Sequence, residues 1–477
     1  MSLKKKTVHS IFWSSLQQFG RQGFSFVFSI LLARLLLPAE FGYIAMIMVF
    51  INLSHALIDA GLTQSLIREE DDRKEAFSTI FFFNVGMGLL LYVILYLGAP
   101  YISGFYDQPI LHNLIRWQAL ILIVHALTSV QRTHLVKKLD FQSQLMASIP
   151  AIIIAGCLSL YMAFKGFGVY ALVAYYVIDA LIQSILLWWL SDWKPQWQFS
   201  FNRLKYHFRF GSHLTLAGML ETGFNEIYNV ILGKYFSPAH LGYFNRAYTM
   251  QRMPVSNLYS ILNKVTYPIF AKIKTNNLKL KEVYAKLLLL VVFSLTPVLL
   301  FAGVLGEPLF RLVLTEKWLP AVPYFKILCL AGILYPLSSY NINLLKVKGK
   351  SEIILRIQLY KKIIFVLSLI LIVFWGMNGL LYGLLLNSLI AFLINSYYSG
   401  KLIDFSTWDQ IKLIMPLFII NFISTTFVYL FSKNLLHLPD ALQLVMGMSL
   451  GFIVYMVLVA VFEKRILKII QEILAAR

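Results

Sequence analysis

The chain alternates long apolar runs with short polar breaks from end to end. Apolar cores stand near residues 12–37, 41–63, 77–101, 111–130, 145–164, 168–190 and 210–234, then 239–270, 286–306, 320–345, 360–376, 378–399, 412–432 and 441–462. A helix needs about 20 mostly apolar residues to cross a bilayer. Runs of this length predict an all-α, polytopic membrane protein with about fourteen transmembrane helices. The pair at 210–270 is the most polar. At "WGMNG" (Trp375 to Gly379) the chain would have to turn between two spans within a few residues.

Composition supports lipid as the solvent: 59% of residues are hydrophobic and 13% are charged, against roughly 25% charged in a soluble domain. A net charge of +20 raises the question of nucleic acid, but the basic residues sit between apolar runs and form no continuous stripe. Most of the 42 Lys and Arg fall in the segments that become cytoplasmic when the amino terminus is placed inside. That asymmetry predicts an even number of spans with both termini in the cytoplasm. The first apolar stretch extends to about Leu37, too long for a cleaved signal peptide, and is expected to be a retained first span. Cys157 and Cys329 both lie in apolar segments and read as buried reduced thiols.

One short phrase is written twice. "LLLPAEFGY" (Leu35 to Tyr43) and "YFSPAHLGY" (Tyr235 to Tyr243) place Pro, Ala, Gly and Tyr identically, two hundred positions apart. Gly23-Phe24 answers to Gly223-Phe224 at the same offset, and Leu32-Ala33-Arg34 to Leu232-Gly233-Lys234. Six spans separate the copies, so both turns face one side of the membrane, as in parallel repeats related by an axis along the membrane normal. The expected organisation is an N-terminal lobe (1–200, helices 1–6), a C-terminal lobe (201–402, helices 7–12) and two appended helices with a cytoplasmic tail (403–477).

Polar residues recur inside the spans. Span one carries Ser14, Gln18, Arg21, Gln22, Ser25 and Ser29 at spacings of three or four, one face of a helix. Span seven carries Thr215, Thr222, Asn225, Glu226 and Asn229, with Glu221 beside them. Span two adds Asn52, His55 and Asp59; span eight adds Arg246, Arg252, Ser256, Ser260, Asn263 and Lys264, with Pro254 placed to kink it. Charges at membrane depth cost roughly 2.5–3.5 kcal/mol each on insertion scales and therefore face a cavity or a partner. Structural ion pairs, such as Arg21 with Glu221 or Asp59, compete for any single charge. The many uncharged amides and hydroxyls favour a wet cavity. Its cations, Arg21, Arg246, Arg252 and Lys264, suit an anionic passenger, with Gln18, Gln22, Ser25 and Asn225 as polar lining. Asp59, Asp179, Glu221 and Glu226 are the candidates for H+ or Na+ coupling, and Asp179 fits a helix-packing hydrogen bond equally well. The sequence shows no P-loop, no HExxH and no G-x-S-x-G elbow. No catalytic residue, metal site or resident cofactor is expected.

At "LLARLLLPAEFGYIAMIMVF" followed by "DAGLTQSLIRE" (Asp59 to Glu69) the chain resembles the polysaccharide-exporting branch of the multidrug/oligosaccharidyl-lipid/polysaccharide superfamily, the Wzx-type flippases. The resemblance covers nearly the whole chain. It implies a non-enzymatic transporter of the bacterial cytoplasmic (inner) membrane that moves undecaprenyl-pyrophosphate-linked oligosaccharide to the outer leaflet. It also implies that basic cavity residues, here Arg21, Arg252 and Arg246, engage the pyrophosphate. Membrane lipids, a polysaccharide polymerase and glycosyltransferases are the implied partners; nucleic acid is not. Three alternatives stay open: a lipid II flippase, a cation-coupled drug exporter of the same fold, and a non-transporting scaffold for glycosyltransferases.

Overall fold

The computed structural model describes residues 3–59, 61–69 and 74–475, with side chains described except at 3–8, 210, 213–214, 261–265 and 473–474. Among them are eighteen α-helices, one 3-10 turn and no strand. The chain divides into two compact units, Met1–Gly242 and Tyr243–Arg477.

In the first unit, α1 (Leu3–Leu35) and α2 (Pro38–Asp59) are followed by the short α3 (Leu62–Arg68) and by α4 (Lys74–Tyr106). Then come α5 (Leu111–Gln118), α6 (Leu120–Lys137), α7 (Phe141–Phe164), α8 (Val169–Leu190) and α9 (Phe201–Tyr235); α10 (Pro238–Lys272) begins in this unit and continues into the next. In the second unit lie α11 (Asn277–Val304), α12 (Gly306–Val313), the 3-10 turn Glu316–Ala321 and α13 (Val322–Val347). The chain ends with α14 (Ser351–Ser368), α15 (Ile370–Gly400), α16 (Thr407–Asn434), α17 (Asp440–Phe462) and the amphipathic α18 (Lys464–Ala475).

Among the described residues, ten helical segments are long and apolar enough to cross a membrane. Helices α1, α9 and α10 fall outside that set although they run 33 to 35 residues, because their polar stripes interrupt every apolar window. The turn expected at "WGMNG" is present within α15, which is two helices joined across a kink at Gly376, where the backbone takes φ 53° and ψ −130°. Three residues on, Gly379 packs on the carbonyl of Leu371, leaving no room for a side chain.

Hydrophobic burial does not drive helices together in lipid, so close packing and polar contacts must do so. Small residues accordingly stand at helix crossings: Gly88 of α4 lies on Ala126 of α6, and Gly156 of α7 on the ring of Phe28 of α1. The first unit has a core around Leu62, Leu66, Phe77, Phe81, Val130 and Trp193. The second has a larger one around Tyr284, Phe301, Leu337, Tyr340 and Tyr455. Outward-facing Trp189, Phe374, Trp375 and Phe422 remain exposed, as lipid-facing residues would. Cys329 is buried but Cys157 is exposed on α7, which corrects the expectation of two buried thiols; its segment is apolar all round, so periodicity could not tell which face met lipid. Helix starts at the loops are capped by side chains: Asp140 accepts from Ser143 N at 3.0 Å, and Ser406 and Asp409 form a capping box.

Candidate functional site

The two copies of the repeated phrase meet. Pro38 and Pro238 open α2 and α10, positions where proline loses no hydrogen bond. Gly42, one turn later, lies directly on the carbonyl of Pro238, and Gly242 lies on the carbonyl of Pro38. The contact is reciprocal, as a local two-fold relation between the repeats requires. Next to it Gly233 accommodates the ring of Tyr106, and Lys234 Nζ lies 2.8 Å from Asp107 Oδ2.

From this junction α2 and α9 run together. Asn52 Nδ2 donates to Glu226 Oε1 at 2.8 Å, and Asn229 Nδ2 donates to Glu226 Oε2 at 2.7 Å. Both oxygens of this carboxylate are thus occupied by amides. At the far end of the seam, before the apolar part of α9, Arg203 Nη1 lies 3.4 Å from Glu69 Oε1 and His207 Nε2 lies 3.2 Å from Glu69 Oε2. His207 Nδ1 is 2.7 Å from Ser65 Oγ.

The wet face of α1 borders a cavity of about 480 Å³ lined by Ser14, Gln17, Gln18, Arg21, Gln22 and Ser25. Arg21 is partly exposed there, and its guanidinium forks onto Asp179 of α8, with Nη2–Oδ2 at 2.5 Å and Nη1–Oδ1 at 3.3 Å. Nη1 also donates to the Ser148 carbonyl at 3.3 Å. The expected pairing of Arg21 with Glu221 or Asp59 is therefore corrected: the partner is Asp179, and Glu221 is exposed on α9. A two-hundred-residue offset relates equivalent positions of the repeated sequence, whereas this pair forms within the first compact unit.

One turn along α8 from Asp179, Gln183 Oε1 accepts from Arg132 Nη2 at 2.7 Å. Arg132 interacts electrostatically with Arg21, Asp59 and Asp179. The sequence reading missed it by ending span four at residue 130. The helix extends to Lys137, and the signal that would have found it is the continuing helical register from His125 through Arg132. Two guanidinium groups thus stand on adjacent rungs of α8, one on the Asp179 carboxylate and one on the Gln183 amide.

The remaining cations lie in the second unit. Arg246 is 5% exposed and sits 5.3 Å from the ring centre of the fully buried Trp318. It is a packed cation-π group, not an open cavity cation as expected. Arg252 is exposed, with Nη1 donating to Tyr248 Oη at 3.2 Å. Lys264 lies on α10, but its side chain falls outside the described residues. Of the other expected lining groups, Gln18 and Asn225 are exposed, and Gln22 and Ser25 are half-buried. Among the described residues no group of three His, Cys, Asp or Glu is placed to hold a metal.

Residues 31–323 match the family model described as "Polysaccharide biosynthesis protein". The chain belongs to this family. The similar curated proteins include the teichuronic acid biosynthesis protein TuaB of Bacillus subtilis, 29% identical over 62% of this chain and 62% of TuaB. The lipopolysaccharide biosynthesis protein WzxC of Escherichia coli is 26% identical over 84% of this chain and 81% of WzxC. The succinoglycan biosynthesis transport protein ExoT of Rhizobium meliloti is 23% identical over 99% of this chain and 96% of ExoT. Among solved structures, the inward closed conformation of the lipid II flippase MurJ superposes with a TM-score of 0.74 at 13% identity, covering 95% of this chain and 99% of MurJ. An inward-facing multidrug transporter of the MATE family gives 0.61 at 16% identity, covering 83% of this chain and 100% of that one. The resemblance read from the repeated turn is borne out: this polysaccharide biosynthesis family member is a multi-pass membrane protein with the fold of the MOP superfamily.

Proposed function

We propose that the protein is a flippase carrying undecaprenyl-pyrophosphate-linked oligosaccharide from the inner to the outer leaflet of the bacterial cytoplasmic membrane. The observation that carries this reading is the Arg21–Arg132 pair, held on α8 beside an amide-rich cavity. Arg matches phosphate through two parallel N–H bonds, and Arg21 already makes that fork with a carboxylate that a phosphate can replace. Gln17, Gln18, Gln22 and Gln183 offer both donors and acceptors to sugar hydroxyls. The polyprenyl tail stays in lipid. The family membership supports the polysaccharide cargo, and the names of the relatives span teichuronic acid, lipopolysaccharide and succinoglycan, which argues for recognition of the shared lipid-linked part.

In this reading the helical rods form fourteen spans with both termini in the cytoplasm, arranged as lobes 1–200 and 201–402 with 403–477 appended, and the lobes alternate access around the cationic site. Binding of H+ or Na+ is coupled to passage, and a polymerase that consumes the flipped unit draws the passenger outward. The MurJ-like fold suits a lipid II passenger as well, since that cargo also carries a pyrophosphate. Deletion of the gene tests the proposal: surface polysaccharide should disappear while lipid-linked repeat units accumulate on the inner leaflet. Normal surface polysaccharide with no accumulation would refute it.

A further inference from the structure

Beside the Arg21–Asp179 fork, α2 and α6 bring together a second cluster that the cavity lining does not use. His55 and His125 meet edge to face with ring centres 4.3 Å apart. The Nδ1 atom of each ring is buried and has no hydrogen-bond partner among the described residues. Asp59 lies one turn beyond His55 on α2, and Arg132 lies two turns beyond His125 on α6.

The charged groups acting on His55 are His125, Asp59 and Arg132; those acting on Asp59 are His55 and Arg132. From α8 comes Asp179, already held by Arg21 of α1, and from α9 comes Glu226, held by Asn52 and Asn229. Those two carboxylates are engaged. Asp59 makes no hydrogen bond or ion pair among the described residues, and α4 and α5 bring no charge to bear on the cluster.

Buried ring nitrogens without partners are rare because each forfeits its hydration. Two imidazoles this close cannot both be charged next to an arginine, but one proton among the two rings and a carboxylate is well compensated. We propose that His55, His125 and Asp59 form a proton-binding site that takes up one proton together with the anionic substrate. The substrate half of this statement rests on the transport reading above. Without the proton, Asp59 offsets Arg132. With it, Arg132 joins Arg21 at full charge, and a phosphate is held more tightly. By reciprocity, bound phosphate favours the proton. The only bonds exchanged are O–H of hydronium for N–H or O–H within the cluster.

The test uses full-length protein labelled with 15N-histidine in lipid nanodiscs, titrated without substrate. Resonances lost in H55Q and H125Q should shift as pH is lowered through the titration of the cluster, and D59N should move their midpoint by about one pH unit. No response from either histidine overturns the proposal whatever the protein transports. In a second arm, undecaprenyl pyrophosphate is added in weak buffer and proton uptake is followed with an indicator dye. The wild type should take up about one more proton per bound ligand than H55Q/H125Q. Equal uptake overturns the coupling. If the histidines titrate but the wild type binds no undecaprenyl pyrophosphate, the transport reading falls and the proton site stands on the first arm.

Discussion

Gly42 packs on the backbone carbonyl of Pro238, and Gly242 packs in return on that of Pro38. A single added methyl at either glycine collides with a backbone atom, which cannot rotate away as a side chain can. Either Gly42→Ala or Gly242→Ala should destabilise the protein by about 1–3 kcal/mol, the usual cost of overpacking. Because both substitutions spoil one junction, the double variant should melt close to either single one. Thermal melting in detergent reads this, and fully additive losses would show that the two turns act separately.

The Arg21–Asp179 fork is half in contact with the cavity, so a structural role and a substrate role predict different things. Exchanging the charges (Arg21→Asp with Asp179→Arg) keeps the ion pair but moves the cation from α1 to α8. The double exchange should recover most of the melting temperature that either single change loses, while surface polysaccharide remains absent. Recovery of both would make the pair structural only.

Glu226 accepts an amide from each of Asn52 and Asn229. Glu226→Gln turns one acceptor into a donor facing another donor. A loss of about 1–3 kcal/mol is expected in a denaturation midpoint, the penalty for an unsatisfied buried polar group. Adding Asn52→Asp to the Glu226→Gln variant should restore part of it by offering an acceptor.

His207 is buried against Glu69 and Ser65 at the start of α9. Burial pushes its imidazole below the ordinary value, with the Glu69 carboxylate pulling the other way. The folded state therefore binds fewer protons here than the unfolded chain. Its contribution to stability is present above the unfolded value of about 6.5 and is lost as pH falls below it. Melting temperature should drop between pH of about 7.5 and about 5.5, and His207→Gln should flatten that drop.

Much of this was legible in the residues because it is periodic. The wet face of α1 follows from helical spacing, and the turn at Gly376 from its glycines. The reciprocal glycine contact was visible as a spelling repeat, although nothing in the repeat says that the copies touch. Arg132 was lost because its surroundings, "VQRTHLVKK", read as a basic loop when the apolar count stops at Val130. Asp179 was found, but its partner lies 158 positions away, and pairing at that range is set by packing, not by period. Arg246 looked like a cavity cation because sequence cannot show Trp318 covering it.

The central claim is that Arg21 and Arg132 hold the phosphate of a lipid-linked passenger during its passage. Purified protein in liposomes, loaded with fluorescent undecaprenyl-pyrophosphate-linked oligosaccharide on one leaflet, measures this directly. Wild-type protein should deliver the label to the opposite leaflet. The Arg21→Ala/Arg132→Ala variant, folded by its melting temperature, should lose at least about tenfold in rate, the effect of removing one or two charge-assisted bonds. Translocation at the wild-type rate by that variant would contradict the account.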